Sequence, residues 1–207
     1  MVNHFLAHDL LWGMTPERLP ADAPQWVSES LGLGQPVVVR RAVVAPGQIA
    51  VGVRGQSREQ RYATSMPLAA VKLRVRPEDL RHVAPRRDLP ALQALSRLRP
   101  LLDARGWIWG VSGSAGFELA SGIKALHERS DLDLILRTPQ PLDRARAWDL
   151  LAQLDDSVCA VDMQLQTPFG AVALREWAGA SQRVLLKDDV QARLVKDPWQ
   201  ASLECVA

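Results

Sequence analysis

The chain has 207 residues, of which 47% are hydrophobic and 23% charged, a composition typical of a soluble globular protein with one large or two small domains. No apolar run reaches the length of a membrane-spanning helix, and the first residues lack the basic start and apolar stretch of a secretory signal. Its two cysteines exclude a disulfide framework and a four-cysteine zinc site, so we expect a cytoplasmic protein with reduced thiols.

Charge is unevenly distributed along the chain, although the net value of +2 is close to neutral. Residues 1–90 hold 12 Lys and Arg against 8 Asp and Glu, whereas residues 91–207 hold 13 against 15. A nearly neutral chain is not expected to bind nucleic acid tightly. The basic part could meet an anionic substrate or an acidic partner, and the acidic part could hold a cation. Two solvated surfaces of different charge are the alternative.

The first part of the chain is predicted to be rich in strands. Residues 36–44 and 49–54 are β-branched segments joined by a Pro-Gly turn, and this pattern predicts a hairpin. Residues 81–90 are rich in arginine and proline and suit a connection, so we place a domain boundary near residue 90. The expected organisation is a smaller β-rich domain over residues 1–90, which binds substrate or partner, and a catalytic domain over residues 91–207.

The second part alternates between helix and strand patterns, which indicates an α/β or α+β fold with a mixed sheet flanked by helices. A strand over 107–112 separates two predicted helices, over 91–105 and 114–121, that end at glycines. Further strands are expected over 132–136, 158–165 and 182–186. A third helix is expected over 141–154, with Pro141 in its first turn.

A candidate phosphate site lies at the start of the second of these helices. Gly113 and Ser114 directly follow a strand. Glycine allows close approach of the backbone there, and free N–H groups at a helix start attract anions. A simple turn or helix cap is the alternative interpretation of this pair.

Three aspartates follow in the next two strands. Asp131 and Asp133 are two residues apart, so an extended strand would point both to one face. Asp162 lies between two apolar residues of the following strand. Adjacent carboxylates repel one another unless a cation lies between them, and hard divalent ions such as Mg²⁺ prefer oxygen ligands. A solvated edge strand, or an aspartate satisfied by backbone donors or an arginine, is the alternative.

The order of these motifs resembles the signature of the polymerase-β-type nucleotidyltransferases. The resemblance implies a catalytic core that holds two Mg²⁺ ions, or Mn²⁺ in their place. Asp131 and Asp133 would bind both ions, and Asp162 would complete the second metal site and could accept a proton from the incoming hydroxyl. Gly113 and Ser114 would hold the pyrophosphate that leaves.

Longer stretches resemble a narrower family, the phosphoribosyl-dephospho-CoA transferases of malonate decarboxylase, also called its holo-acyl-carrier-protein synthases. The similar segments extend over essentially the whole chain and include His8-Asp-Leu-Leu-Trp, Pro36-Val-Val-Val-Arg-Arg-Ala, Val51-Gly-Val-Arg-Gly-Gln-Ser, Trp109-Gly-Val-Ser-Gly-Ser-Ala-Gly-Phe-Glu, Ser130-Asp-Leu-Asp-Leu, Asp162-Met-Gln-Leu-Gln-Thr-Pro-Phe-Gly, Glu176-Trp-Ala and Arg193-Leu-Val-Lys-Asp-Pro-Trp. The resemblance implies that triphosphoribosyl-dephospho-CoA is the donor. It implies that a serine of the apo acyl-carrier subunit of malonate decarboxylase is the acceptor.

Three arginines follow the predicted hairpin. Arg54, Arg58 and Arg61 cluster around two glycines, and guanidinium groups bind phosphate oxygens through a rigid fork. They are therefore candidates for binding the phosphates of the donor or for docking an acidic carrier. Surface arginines without a ligand are the alternative.

Two other functions stay open from the sequence. A nucleotidyltransferase acting on RNA, another protein or a small molecule would need the same carboxylates, although the near-neutral charge disfavours RNA. A noncatalytic binding module could keep the fold. Three carboxylates that repel one another are hard to explain in such a module.

Overall fold

The computed structural model describes residues 5–57, 59–155 and 157–200 and divides into two compact units. The first comprises the chain up to Arg76 together with Ala120–Gly122, and the second comprises Pro77–Leu119 and the chain from Ile123 onward. No helix in the described part of the chain is both long and apolar enough to span a bilayer.

In its described part, the first unit contains a five-stranded antiparallel sheet, one α-helix and two short 3-10 helices. The helix, α1, covers Gln25–Gly32. The strands are β1 (Leu10–Trp12), β2 (Val37–Val39), β3 (Gln48–Arg54), β4 (Arg61–Pro67) and β5 (Leu73–Val75), in the order β4-β3-β2-β1-β5. Strands β2 and β3 pair antiparallel, with Val38 opposite Gly52, so the predicted hairpin is confirmed. Its first strand ends at Val39, earlier than expected, so a long loop connects β2 to β3.

One face of this sheet forms the core of the first unit. Alternation along β2 and β3 turns every second side chain toward α1. The buried cluster includes Val27, Leu31, Val37, Val39, Val51, Val53 and Met66. The opposite face includes Gly52, against which the side chain of Arg40 lies.

The second unit contains a six-stranded mixed sheet flanked by helices. The strands are β6 (Trp109–Val111), β7 (Leu132–Arg137), β8 (Val161–Thr167), β9 (Gly170–Ala173), β10 (Val184–Lys187) and β11 (Ala192–Val195), in the order β11-β10-β9-β8-β7-β6. The helices are α2 (Pro90–Ala104), α3 (Gly113–Ser121), α4 (Arg144–Asp155) and α5 (Leu174–Ala178). Among the described strands of this sheet, β7 and β8 pair in parallel and the other neighbouring pairs are antiparallel. The predicted mixed α and β fold class is confirmed.

Local signals explain where these helices begin and end. Helix α2 has Pro90 in its first turn and is followed by Gly106 at φ 66°, and α3 is followed by Gly122 at φ 74°. The predicted start of α4 at Pro141 is wrong. The helix begins at Arg144, because the carboxylate of Asp143 caps it by accepting a 2.8 Å hydrogen bond from the Arg146 N–H.

The two units divide between Arg76 and Pro77, earlier than the expected boundary near residue 90. The chain just after Pro77 joins the second unit because it packs there. A Cβ on Gly110 of β6 would overlap the Pro77 backbone, and Glu78 accepts a 2.6 Å bond from Arg137 of β7. The substrate-binding and catalytic roles given to residues 1–90 and 91–207 stay predictions.

Much of the core of the second unit lies on one face of its sheet. Leu132, Leu134 and Leu136 are buried on β7, and the indole N–H of Trp109 on β6 donates a 2.9 Å bond to Asp103 on α2. Helix α2 therefore covers this face. The opposite face of β7 and β8 carries the acidic residues.

Candidate active site

The parallel pair β7–β8 brings two aspartates together. Asp133 lies directly opposite Asp162, and residues opposite one another on neighbouring strands project to the same face. Their neighbours Leu132 and Met163 are 0% and 2% exposed, so the apolar residues point into the core and the carboxylates point away from it. Asp133 is half-buried and Asp162 is exposed.

The start of α3 lies against the first of these carboxylates. Gly113 has φ 59°, and a Cβ on it would overlap the carboxylate of Asp133. The Ser112 N–H donates a 2.9 Å bond to the Asp133 carbonyl oxygen, which holds the two backbones together. Glycine is therefore required at residue 113 for two reasons, the left-handed conformation and the space that Asp133 occupies.

The start of α3 is also suited to bind an anion. Gly113 is exposed, Ser114 is half-buried, and the helical hydrogen bonds begin with the Gly116 N–H donating to the Ser112 carbonyl at 2.8 Å. Backbone N–H groups at a helix start, together with the positive end of the helix dipole, favour negative charge. An anion bound there would lie beside Asp133, which a cation would have to neutralise.

The third aspartate lies just before β7. Asp131 is exposed, and its negative charge acts on the half-buried thiol of Cys159, which precedes β8. Burial raises the pKa of Cys159, and the charge of Asp131 raises the same pKa further. A thiol with a raised pKa is a poor nucleophile at neutral pH, so Cys159 is not suited to act as one.

An arginine that the sequence analysis did not single out lies near Asp162. Arg175 of α5 donates hydrogen bonds of 2.5 Å and 3.3 Å to Asp155. These bonds chiefly raise the pKa of Arg175, and the nearby carboxylate of Asp162 adds a smaller contribution in the same direction. The guanidinium of Arg175 therefore lies close enough to Asp162 for their charges to attract one another.

The fit of a divalent ion to this site can be judged from its donor groups. Among the residues that the structure describes, no group of three or more His, Cys, Asp or Glu side chains is arranged to hold a metal ion. Two of the three expected ligands, Asp133 and Asp162, are nevertheless neighbours on one sheet face, and Asp131 precedes Asp133 by two residues. Carboxylate oxygens are the donors that Mg²⁺ prefers, so these residue types suit the ion.

The predicted arginine cluster lies in the first unit. Arg54 on β3 lies directly opposite Arg61 on β4. Arg61 donates hydrogen bonds of 3.1 Å and 3.0 Å to the carbonyls of Ser57 and Gln60 in the intervening loop. Arg58 lies outside the described residues. The structure thus brings Arg54 and Arg61 together, and their role in binding phosphate stays a prediction.

Another buried ionic group, also missed from the sequence, lies one turn along α3. Glu118 is 8% exposed and receives hydrogen bonds from Arg87 and from two backbone N–H groups. A charged residue between Phe117 and Leu119 in an apolar helix was the signal that could have indicated it, because a buried carboxylate needs partners.

Comparison with known proteins gives matches over both units. The profile described as the phosphoribosyl-dephospho-CoA transferase MdcG N-terminal domain matches residues 6–77, and that of the C-terminal domain matches residues 79–198. A phosphoribosyl-dephospho-CoA transferase from Pseudomonas fluorescens is 67% identical over 195 residues, which cover 94% of each chain.

Proteins of the same name from other species match over a similar length. The one from Azotobacter vinelandii is 56% identical over 198 residues, and the one from Pseudomonas aeruginosa is 55% identical over 195 residues, each covering 93% of both chains. No solved structure matches. Identity at this level over both units shows that the chain belongs to the phosphoribosyl-dephospho-CoA transferase family.

Proposed function

We propose that this enzyme transfers the phosphoribosyl-dephospho-CoA group from 2'-(5''-triphosphoribosyl)-3'-dephospho-CoA to a serine of the apo acyl-carrier subunit of malonate decarboxylase. The observation that carries the proposal is the pair Asp133–Asp162 beside Gly113, within a chain of this family. Paired carboxylates next to a helix start suit a reaction in which a triphosphate is bound and one of its phosphoanhydride bonds is cleaved.

The bond changes in the proposed reaction are those of an in-line displacement at phosphorus. A bond forms between the serine oxygen and the α-phosphorus, the bond from that phosphorus to the bridging oxygen breaks, and pyrophosphate leaves. The serine proton must be removed as the new bond forms. Asp162 is exposed beside Asp133 and is our candidate to accept this proton on a carboxylate oxygen.

Asp131, Asp133 and Asp162 would hold two Mg²⁺ ions, or Mn²⁺ in their place. When bound, such ions supply charge neutralisation for the attacking and leaving oxygens. The backbone N–H groups at Gly113 and Ser114 would bind the pyrophosphate as it leaves, because helix-start N–H groups are fixed donors that need no reorganisation.

The arginines of the first unit would bind an anionic part of the donor or of the carrier. Arg54 and Arg61 lie side by side on neighbouring strands, and paired guanidiniums suit phosphate or carboxylate oxygens. Arg58 belongs to the same segment of sequence and is kept as a candidate.

Mass spectrometry of the carrier subunit tests the proposal directly. Apo carrier is incubated with the enzyme, Mg²⁺ and the triphosphoribosyl donor, and the mass of the intact carrier is measured with the pyrophosphate released. We expect the carrier to gain the mass of phosphoribosyl-dephospho-CoA, located on a serine by fragmentation, with one pyrophosphate released for each group attached.

A matched pair of variants connects this activity to the site. Asp133→Asn should abolish most of the mass gain, whereas Asp149→Asn, an exposed aspartate on α4, should leave it unchanged. Turnover by a folded Asp133→Asn protein at the wild-type rate would contradict the assignment of the site. Wild-type enzyme that modifies no carrier serine under these conditions would contradict the proposed reaction.

A further inference from the structure

The segment that connects the two halves of the candidate site has no regular secondary structure. Residues 123–131 lead from α3, which begins with the Gly113–Ser114 pair, to β7, which carries Asp133, and contain neither helix nor strand. Two residues of this connection are nevertheless buried, Leu126 at 5% and Ser130 at 6% exposed. Contacts other than the hydrogen bonds of helices and strands must therefore hold this connection in its path.

Glu118 supplies the main contact of this kind. It lies on α3 about one helical turn after Ser114, and its side chain is 9% exposed. One carboxylate oxygen, Oε2, accepts hydrogen bonds from the Ala125 N–H at 2.7 Å and from the Leu126 N–H at 2.9 Å. Helix α3, whose first residues form the candidate phosphate site, thus holds in place the connection that leads to Asp131 and Asp133.

Arg87 completes this arrangement. Its Nη1 lies 3.1 Å from both carboxylate oxygens of Glu118 and donates a 3.1 Å bond to the Leu126 carbonyl. Burial alone would raise the pKa of Glu118, but the two backbone N–H bonds and the guanidinium together lower it below its ordinary value. Glu118 is therefore ionised at neutral pH and can act as a permanent acceptor.

A second group of bonds fixes the far end of the connection. The Ser130 hydroxyl oxygen accepts the His127 N–H at 3.0 Å, and the Ser130 N–H donates to the His127 carbonyl at 3.0 Å. The Leu132 N–H then donates to Ala160, just before β8, at 2.9 Å. From Glu118 to the start of β7, the path of the chain is held by these bonds at successive points.

A buried ion pair is weak evidence for stability, because apolar residues of similar size often stabilise a protein as well. An apolar side chain at residue 118, however, could not accept two backbone N–H groups. We propose that Glu118, held by Arg87, is a positioning residue that sets Asp131 and Asp133 relative to the Gly113–Ser114 helix start. This inference rests on the proposed function, in which these two parts of the site act on the same substrate.

The test measures metal binding and turnover separately. Glu118→Gln removes the charge that pairs with Arg87 and turns an amide N–H₂ toward that guanidinium. We expect Mn²⁺ binding to the enzyme without substrates, measured by electron paramagnetic resonance, to weaken about tenfold. We expect kcat for carrier modification to fall about tenfold to a hundredfold, while KM for the donor changes less than about twofold.

Two further variants control for folding and for loss of negative charge. Glu128→Gln removes an exposed carboxylate from the same connection and should leave Mn²⁺ binding and kcat at wild-type values. Arg87→Lys keeps a positive charge, but a single ammonium cannot reproduce the guanidinium contacts, so a smaller loss of Mn²⁺ affinity and kcat is expected. If Glu118→Gln does not fold, as judged by circular dichroism, Arg87→Lys decides the question by the same measurements.

A folded Glu118→Gln protein with Mn²⁺ affinity and kcat both within twofold of wild type would overturn the positioning role. Equal losses in Glu118→Gln and Glu128→Gln would also overturn it, because the effect would then come from charge alone. Failure of the proposed function is recognised differently: the wild-type enzyme would not modify the carrier, while the Mn²⁺ measurement would still test the positioning of Asp131 and Asp133.

Discussion

The two sheets of this enzyme each place two like charges directly opposite one another. In the first unit, Arg54 on β3 faces Arg61 on β4 across an antiparallel pair. In the second, Asp133 on β7 lies opposite Asp162 on β8 across the parallel pair. Like charges in directly opposite positions repel one another, and a bound ion of opposite charge would weaken that repulsion.

The surroundings of the two pairs differ. Arg61 donates hydrogen bonds to the carbonyls of Ser57 and Gln60 in the loop between the two strands. Asp133 instead lies against the start of α3, and Asp162 has the guanidinium of Arg175 nearby. The comparison predicts an anion as the ligand of the first sheet and cations as the ligands of the second.

The largest effect is expected from Gly113→Ala, which tests the closeness of α3 and the acidic pair. The new Cβ would displace the Asp133 carboxylate, and the alanine would have to adopt the left-handed φ of 59°. We therefore expect kcat to fall about a hundredfold or more, as when a main electrostatic contact is lost. Gly106→Ala is the matched control. It has φ 66° with no neighbouring atom within 4 Å, so it should lose about 1–2 kcal/mol of stability and keep its activity.

Similar kcat values for the two glycine variants would show that the contact between Gly113 and Asp133 does not matter for turnover. Steady-state kinetics with the carrier, together with denaturant unfolding, separate the two effects.

The next effect concerns the acidic pair and is measured without substrate. Without metal, Asp162→Asn removes the repulsion with Asp133 and should stabilise the protein by about 0.2–1 kcal/mol. Mg²⁺ at about a hundred times its Kd should stabilise the wild type by about 2.7 kcal/mol, and much less in the variant. Differential scanning calorimetry with and without Mg²⁺ measures both. A variant that gains as much from Mg²⁺ as the wild type would remove Asp162 from the metal site.

A smaller effect is expected in the basic pair. Arg54→Gln should raise KM for the triphosphoribosyl donor or for the carrier about tenfold, which corresponds to about 1.4 kcal/mol, with little change in the Mg²⁺ response. Arg18→Gln replaces an exposed arginine of the same unit and should change neither KM. Unchanged KM values for both substrates in Arg54→Gln would exclude this pair from substrate binding.

The smallest effect is expected from Trp199→Phe, which tests a residue that supports the fold of the second unit but lies outside the candidate site. The indole N–H of Trp199 donates a 2.7 Å bond to the Thr138 carbonyl, and its ring packs edge-on against Trp177 at 5.1 Å. Trp199→Phe keeps an aromatic ring but loses the bond, so we expect a loss of about 1 kcal/mol, or about 2–4 °C in Tm, with kcat unchanged. A large fall in kcat at unchanged Tm would give Trp199 a role in the site.

Helices and strands with strong local patterns were predictable from the sequence. The leucine spacing of α2, the glycines that follow α2 and α3, and the alternation in β7 all act over a few residues. The start of α4 was predicted wrongly because the Asp143 cap outweighed the preference of Pro141 for a first turn. Strands β9 and β11 were not predicted, since they depend on pairing with neighbouring strands and not on a strong local pattern.

Prediction of the candidate site was limited in the same way, to features that depend on a few neighbouring residues. The sequence alone supplied the acidic donor set and the glycine–serine pair, and alternation along a strand determines which residues share a face. It could not indicate that Arg87 reaches Glu118, because the two are distant in sequence, nor that Arg175 lies near Asp162. Such contacts depend on how separate elements pack.

The sequence by itself determined the family of the chain, the face of each strand that carries charge, and the residue types that can bind a divalent ion or a phosphate. Only the tertiary structure decided that Asp133 lies opposite Asp162, because the register of a parallel pair is set by the packing of the crossover between its strands. It also decided that the Asp133 carboxylate occupies the space a side chain at Gly113 would need, since that contact joins elements separated by a connection without regular structure.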